Sequence, residues 1–141
     1  MALTPLHDAL AQMLAQVQPV TAQDCELTAA AGRVLRADVR ALCDVPPWDN
    51  SAMDGYALST SDLAQSDVLP VSQRIAAGAA PGKLEPGTAA RIFTGAPVPA
   101  GADAVVMQEN ARLDDDGLHL LQAATPGEHI RRRAQDVAEG Q

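Results

Sequence analysis

Aromatic side chains are almost missing from this chain: its 141 residues include one Trp, one Tyr and one Phe. Apolar residues still make up 47%, so any core is built from Ala, Val, Leu and Ile. Cysteine is scarce too. Cys25 and Cys43 are too few for a disulfide scaffold and share no metal-type spacing with each other or with His7, His119 and His129. Free thiols in a reducing compartment are expected. Positive charge is short, the formal net charge being −8. That excludes general binding to nucleic acid or an anionic membrane, whose phosphates require a basic surface. No apolar run approaches the length of a bilayer, and the N-terminus has no basic region followed by an apolar block. A soluble, cytoplasmic protein is the expectation. There is no Ser-His-Asp or Cys-His arrangement, no Walker or dinucleotide glycine motif, and no internal repeat.

Punctuation, by contrast, is plentiful. Ten prolines and ten glycines argue against a helical bundle and for short strands joined by turns. Residues 4–18 read as the one helix, because Leu3, Leu6, Leu10, Met13, Leu14 and Val17 recur at three- and four-residue spacing. Thr4 is the expected N-cap, with Pro5 at the first helical position and Pro19 as the stop. Cys25–Leu27 reads as a short strand, Thr28–Gly32 as a helical turn and Arg33–Val39 as a half-exposed strand. Further strands are expected at Val68–Val71, Gln73–Ala76, Thr88–Phe93, Ala104–Gln108, Leu118–Leu121 and His129–Arg133, and Asp115-Asp116-Gly117 signals a hairpin turn. The fold class is therefore mainly β with an N-terminal α-helix (α+β), with a small barrel-like or sandwich domain over residues 50–136.

Three segments could carry chemistry. Val45 to Ala57 holds the only Trp and Tyr, two carboxylates and an Asn-Ser pair, between a diproline and Asp-Gly. Asp49 and Asp54 lie five residues apart across a turn. They either share a site, for acid/base work or a divalent cation, or each caps its own turn beside a buried Trp48. In the second segment, Thr94-Gly95 ends a strand before Pro97-Val98-Pro99; the glycine could let backbone N–H groups approach an anion, or could simply form a turn. The third, Arg131-Arg132-Arg133, stands out in acidic surroundings. As a strand it would put Arg131 and Arg133 on one face, either for an oxyanion or paired with Asp114, Asp115, Glu128 or Asp136.

Together these segments resemble one family. Asp44 to Ala57, containing Asp-Asn-Ser-Ala-Met-Asp-Gly-Tyr-Ala, is similar to the signature loop of the MoeA proteins, the molybdopterin molybdenumtransferases, which include the E domain of gephyrin. Phe93 to Pro99 followed by Gly101 to Glu109 resembles the second signature, and Ile130 to Arg133 with Asp136 the third. The resemblance implies molybdate insertion into adenylylated molybdopterin, with release of AMP and help from Mg²⁺. It implies catalytic roles for Asp54, Thr94, Arg131 and Asp136, substrate contacts for Gly95 and Arg133, and either substrate contacts or a loop-shaping role for Asp49, Asn50 and Ser51. No metal ligand is assigned within this chain; Mg²⁺ is expected mainly from a domain beyond it. Family members are longer, dimeric and four-domained, with the molybdopterin adenylyltransferase as a further implied partner. In their terms, residues 1–19 are the N-terminal helix, 20–49 part of an elongated linking domain, 50–136 the β-rich second domain, and 137–141 the start of a return to the linking domain. A fragment of a longer chain is the expectation. His129 and Ala134 stand where the family commonly has Asn and Gly. The competing reading is a non-catalytic module that binds the pterin substrate or a protein partner.

Overall fold

In a computed structural model, which describes residues 3–141, the chain divides into two compact units, Met1–Val39 and Arg40–Gln141. The first contains the helix α1, Leu6–Ala15. It is shorter than the leucine spacing suggests, and its first turn is closed by the Pro5 carbonyl accepting from the Ala9 N–H at 3.0 Å. Pro5 itself occupies the N-cap position and no side chain caps the helix, so Thr4 does not play the part expected of it. The apolar stripe is real but solvent-exposed, from Leu6 to Val17. Residues 25–27 and 33–39 form no strand. Leu27–Ala29 is a 3₁₀ turn, and an extended segment without a partner to pair with gains no ladder bonds.

The second unit holds the strands. They are β1 (Asn50–Ser51), β2 (Gly55–Leu58), β3 (Val68–Leu69), β4 (Val71–Ile75), β5 (Ala89–Ile92), β6 (Ala104–Met107), β7 (Ala111–Asp114), β8 (Gly117–Leu120) and β9 (Ile130–Arg131). They make three sheets, none of them closed: β4-β5-β2-β6, β3-β8-β7 and β1-β9. The β7–β8 hairpin turns at Asp115-Asp116, with Asp114 opposite Gly117, as the Asp-Asp-Gly signal predicts.

The central strand β2 is buried at all four positions, which is why its sequence shows no alternation. Its side chains serve two cores. Tyr56 and Leu58 join Leu69, Ala89, Ala104, Val106 and Leu118 on one face. Ala57 joins Ile75, Leu84, Ala90, Ile92, Ala96 and Val105 on the other. Alanines at 57, 89, 90, 96 and 104 let these layers approach closely in a core whose one aromatic is Tyr56. Each fully buried Leu or Ile contributes about 2 kcal/mol.

Gly55 is dictated by a close approach. A Cβ there would lie 1.9 Å from the Val106 carbonyl oxygen. β2 runs antiparallel to both β5 and β6, and β4 runs parallel to β5. Ile75, Ile92, Gly55 and Met107 therefore form one row across the end of the sheet, and the segments that follow or precede them emerge at a single edge.

Candidate functional site

The stretch from Asp49 to Asp54 lies between the other two motifs. On one side β1 pairs with β9, putting Asn50 opposite Arg131 and Ser51 opposite Ile130. On the other, the Ser51 N–H donates to the Ala96 carbonyl at 2.9 Å, the Gly95 N–H to the Ser51 carbonyl at 2.8 Å, and the Val98 N–H to the Asp49 carbonyl at 3.0 Å. Three segments far apart in sequence thus meet through backbone pairing.

Within this junction the two aspartates engage different partners. The Asp54 Oδ1 accepts from the Thr94 N–H at 2.7 Å and from the Thr94 hydroxyl at 2.6 Å. The Thr94 hydroxyl and amide, with some help from the nearby Arg91 charge, hold the Asp54 carboxyl below its ordinary value against a small desolvation cost. Oδ2 has no hydrogen-bond donor among the described residues. Asp49 faces the arginines instead, its Oδ1 accepting from the Arg133 N–H at 2.8 Å and its Oδ2 from the Arg132 guanidinium at 2.6 Å. Burial raises the Asp49 carboxyl, and these two donors overcome it, so the group titrates below the ordinary range. Neither carboxylate caps its own turn.

The arginine triplet is fully partnered. Arg131 donates to Asp136 at 2.6 Å, Arg132 to Asp49, and the Arg133 Nε to Asp44. Asp44 also accepts from the Glu139 N–H at 2.8 Å, and that amide, followed by Arg133, lowers its titration. Of the partners suggested by sequence only Asp136 is used; Asp114 goes to Arg112 instead. The strand stops at Arg131, so Arg131 and Arg133 are not set by strand alternation. Two turns bracket it. Ile130 N–H to Gly127 carbonyl closes one around His129, and Gln135 N–H to Arg132 carbonyl closes the other around Ala134. His129 and Ala134 have φ of 51° and 60°, the left-handed region that Asn and Gly occupy most readily.

Ser51 is 1% exposed and its hydroxyl is bonded to Met53, so it shapes the loop from within. Asn50 is also buried. Gly95 has φ 80°, and its amide is committed to Ser51 rather than free for an anion. Trp48 is half exposed, not a core residue.

Two features were hidden in the sequence. Arg91 donates to the Gly55 carbonyl at 2.9 Å and to Gln108 at 2.6 Å, and lies over the Tyr56 and Phe93 rings. Only the strand register, which places Arg91 beside Tyr56, makes that cluster visible. The hairpin also gathers Asp114, Asp116 and His119, whose ligand atoms lie within 4.8 Å of one another. The three histidines had suggested no ligand pattern, because His119 reaches Asp116 only through the β7–β8 turn. The His119 hydrogen bond holds the Asp116 carboxyl down.

The site's class is an open β unit that presents a paired loop, a Thr-Gly turn and a carboxylate-paired arginine segment together. The chain belongs to the MoeA family: its residues 4–141 match the MoeA N-terminal region (domain I and II). It is 45% identical to molybdopterin molybdenumtransferase 2 of Mycobacterium tuberculosis (strain H37Rv), covering 93% of this chain and 33% of that relative. It is 41% identical to the molybdopterin molybdenumtransferase of Haemophilus influenzae, covering 96% and 34%. The crystal structure of the molybdopterin biosynthesis MoeA protein from Pyrococcus horikoshii OT3 superposes with a TM-score of 0.81 at 33% identity, covering 99% of this chain and 39% of that one. The chain spans about a third of the length of these curated relatives. No helix among the described residues is long and apolar enough to cross a membrane.

Proposed function

We propose that this chain forms one wall of the cleft of a molybdopterin molybdenumtransferase, which inserts molybdate into adenylylated molybdopterin and releases AMP. The observation that carries the reading is the convergence of three motif segments on Asn50–Ser51, which leaves an oriented carboxylate at the sheet edge. Thr94 fixes Asp54 as an ionised group with Oδ2 turned to solvent, suited to accept from pterin amines or to orient a substrate-bound water. Because its hydroxyl proton is committed to Asp54, Thr94 acts as a positioning residue in this geometry. Arg131, with one nitrogen on Asp136, keeps other donors for a substrate oxyanion. Asp49 and Arg133 hold the segment that carries Arg131.

The residues in hand do not make a Mg²⁺ site at this edge. Asp49 and Asp136 each hold an arginine, and Asp54 alone offers one free oxygen, so an ion here would take nearly all of its shell from water and substrate phosphates. We assign Mg²⁺ ligation, and the second wall of the cleft, to the part of the relatives this chain does not span. A cytoplasmic homodimer, with the molybdopterin adenylyltransferase as supplier of substrate, completes the proposal.

The test is Asp54→Ala in the protein carrying those further domains. Molybdenum insertion should fall by about 100-fold or more, with an unchanged circular dichroism spectrum. Unchanged cofactor production would sink the role assigned to this edge. Insertion by the isolated 141-residue chain would favour a cleft wholly within it.

A further inference from the structure

Arg74 and Arg91 are neighbours in the parallel β4–β5 register, one residue in from the sheet edge that presents Asp54 and Thr94. Both guanidinium groups lie over the Phe93 ring, at 4.4 and 4.7 Å from its centroid. Two cations sharing one ring repel each other, and the ring quadrupole offsets only part of that cost. Four other arginines of this acidic unit, Arg112 and Arg131 to Arg133, hold carboxylates and Arg40 holds the Gly140 carbonyl, yet neither Arg74 nor Arg91 has a carboxylate within salt-bridge distance among the described residues. Arg91 spends two of its donors on the Gly55 carbonyl and Gln108. Arg74 is exposed and makes no hydrogen bond among the described residues, so its planar fork is held by the ring with its donors free. A guanidinium oriented by an aromatic face rather than by a carboxylate is prepared for forked binding of an oxyanion.

We propose that Arg74 and Arg91, steadied by Phe93, seat a phosphate-class oxyanion carried by the substrate, next to the Asp54–Thr94 pair. An anion there meets two cations carried by neighbouring strands of one sheet. The seat rests on the reading of this edge as a substrate wall for its physiological ligand, but not for its anion chemistry.

Inorganic pyrophosphate is the probe, titrated at low ionic strength into the full chain with calorimetry and ¹⁵N detection of the arginine Nε–H signals. The Arg74 and Arg91 signals should move, and Arg74→Gln should weaken pyrophosphate binding about tenfold. Arg74→Lys keeps the charge without the fork and should fall in between. Arg112→Gln, which removes a salt-bridged arginine on the hairpin, should change nothing. Affinity altered less than threefold by Arg74→Gln, or equal shifts at Arg112, Arg132 and Arg133, would overturn the seat. In the protein with its further domains, pyrophosphate should compete with substrate, and Arg74→Gln should raise KM more than it lowers kcat. Absence of competition also overturns a substrate-borne phosphate, in favour of free phosphate. If Asp54→Ala left insertion intact while Arg74→Gln still weakened pyrophosphate binding, the cleft reading would fail and the anion seat would stand.

Discussion

Two sets of arginines in the same unit meet opposite surroundings. Arg131, Arg132 and Arg133 each hold a separate carboxylate, those of Asp136, Asp49 and Asp44. Arg74 and Arg91 hold an aromatic ring and no carboxylate. In a chain with eighteen acidic and ten basic residues, a cation without an anion reflects placement and not a shortage of partners. The conspicuous triplet serves first as a clasp, drawing residues 44–49 to residues 131–139. The inconspicuous pair is separated by sixteen residues of sequence; Arg74 is exposed with its donors free, while Arg91 is half-buried and bonded to Gly55 and Gln108. The two regions are also built differently. The clasp depends on exposed side-chain charges, whereas the edge beside Arg91 depends on backbone packing around Gly55.

That contrast breaks most severely at Gly55. A methyl group there must displace the Val106 carbonyl of a central strand pair, which no rotamer change can relieve. Gly55→Ala should therefore destabilise the unit by about 3 kcal/mol or more, measured by urea unfolding, and should also dislodge Asp54 and Arg91 from the edge. A loss below about 1 kcal/mol would mean that β2 and β6 can separate without cost.

A smaller loss is expected at the clasp. Asp49→Ala removes the partner of Arg132 and of the Arg133 amide, but both charges are partly exposed, so about 1 kcal/mol is expected at neutral pH. The same group gives the sign of the pH dependence. A carboxyl held below its unfolded value of about 3.9 contributes its full stability above that value and loses it as pH falls through the lower folded-state value. Asp44, Asp49, Asp54 and Asp116 all lie on that side. Unfolding midpoints should be flat at neutral pH and drop once the pH passes below about 4, with a shallower drop in Asp49→Ala. An identical drop in that variant would remove the clasp as a source of acid sensitivity.

How much of this was legible in the sequence depends on what each residue answers to. Turn chemistry is local, so the Asp115-Asp116 hairpin and the strands at Val71–Ile75, Ala89–Ile92, Ala104–Met107 and Gly117–Leu120 follow from glycine, proline and apolar spacing. Strand β2 was hidden because burial on both faces erases alternation. The Arg33–Val39 segment shows the opposite failure, since its composition suits a strand but its unit offers no partner. At the site, motif order indicated which segments matter, while the pairing of Asp54 with Thr94 and of Asp49 with Arg132 depends on contacts across 40 and 83 residues. Spacing of five residues between Asp49 and Asp54 suggested one shared site; the fold turns them to different partners.

The finest contrast concerns the turns that hold the clasp. Ala134 is the third residue of the turn closed by Gln135 N–H and the Arg132 carbonyl, and its φ of 60° puts its Cβ against its own backbone. That conformation costs an Ala about 1 kcal/mol and a Gly almost nothing. Glycine also loses more freedom on folding, which returns part of the gain. Ala134→Gly should thus raise stability by about 0.5 kcal/mol, read as a higher urea midpoint with an unchanged slope. Because Arg132 and Arg133 lead directly into this turn, the variant should leave the Asp49 and Asp44 contacts intact. A loss of stability instead would show that the added freedom of glycine in the unfolded chain outweighs the strain it relieves at this turn.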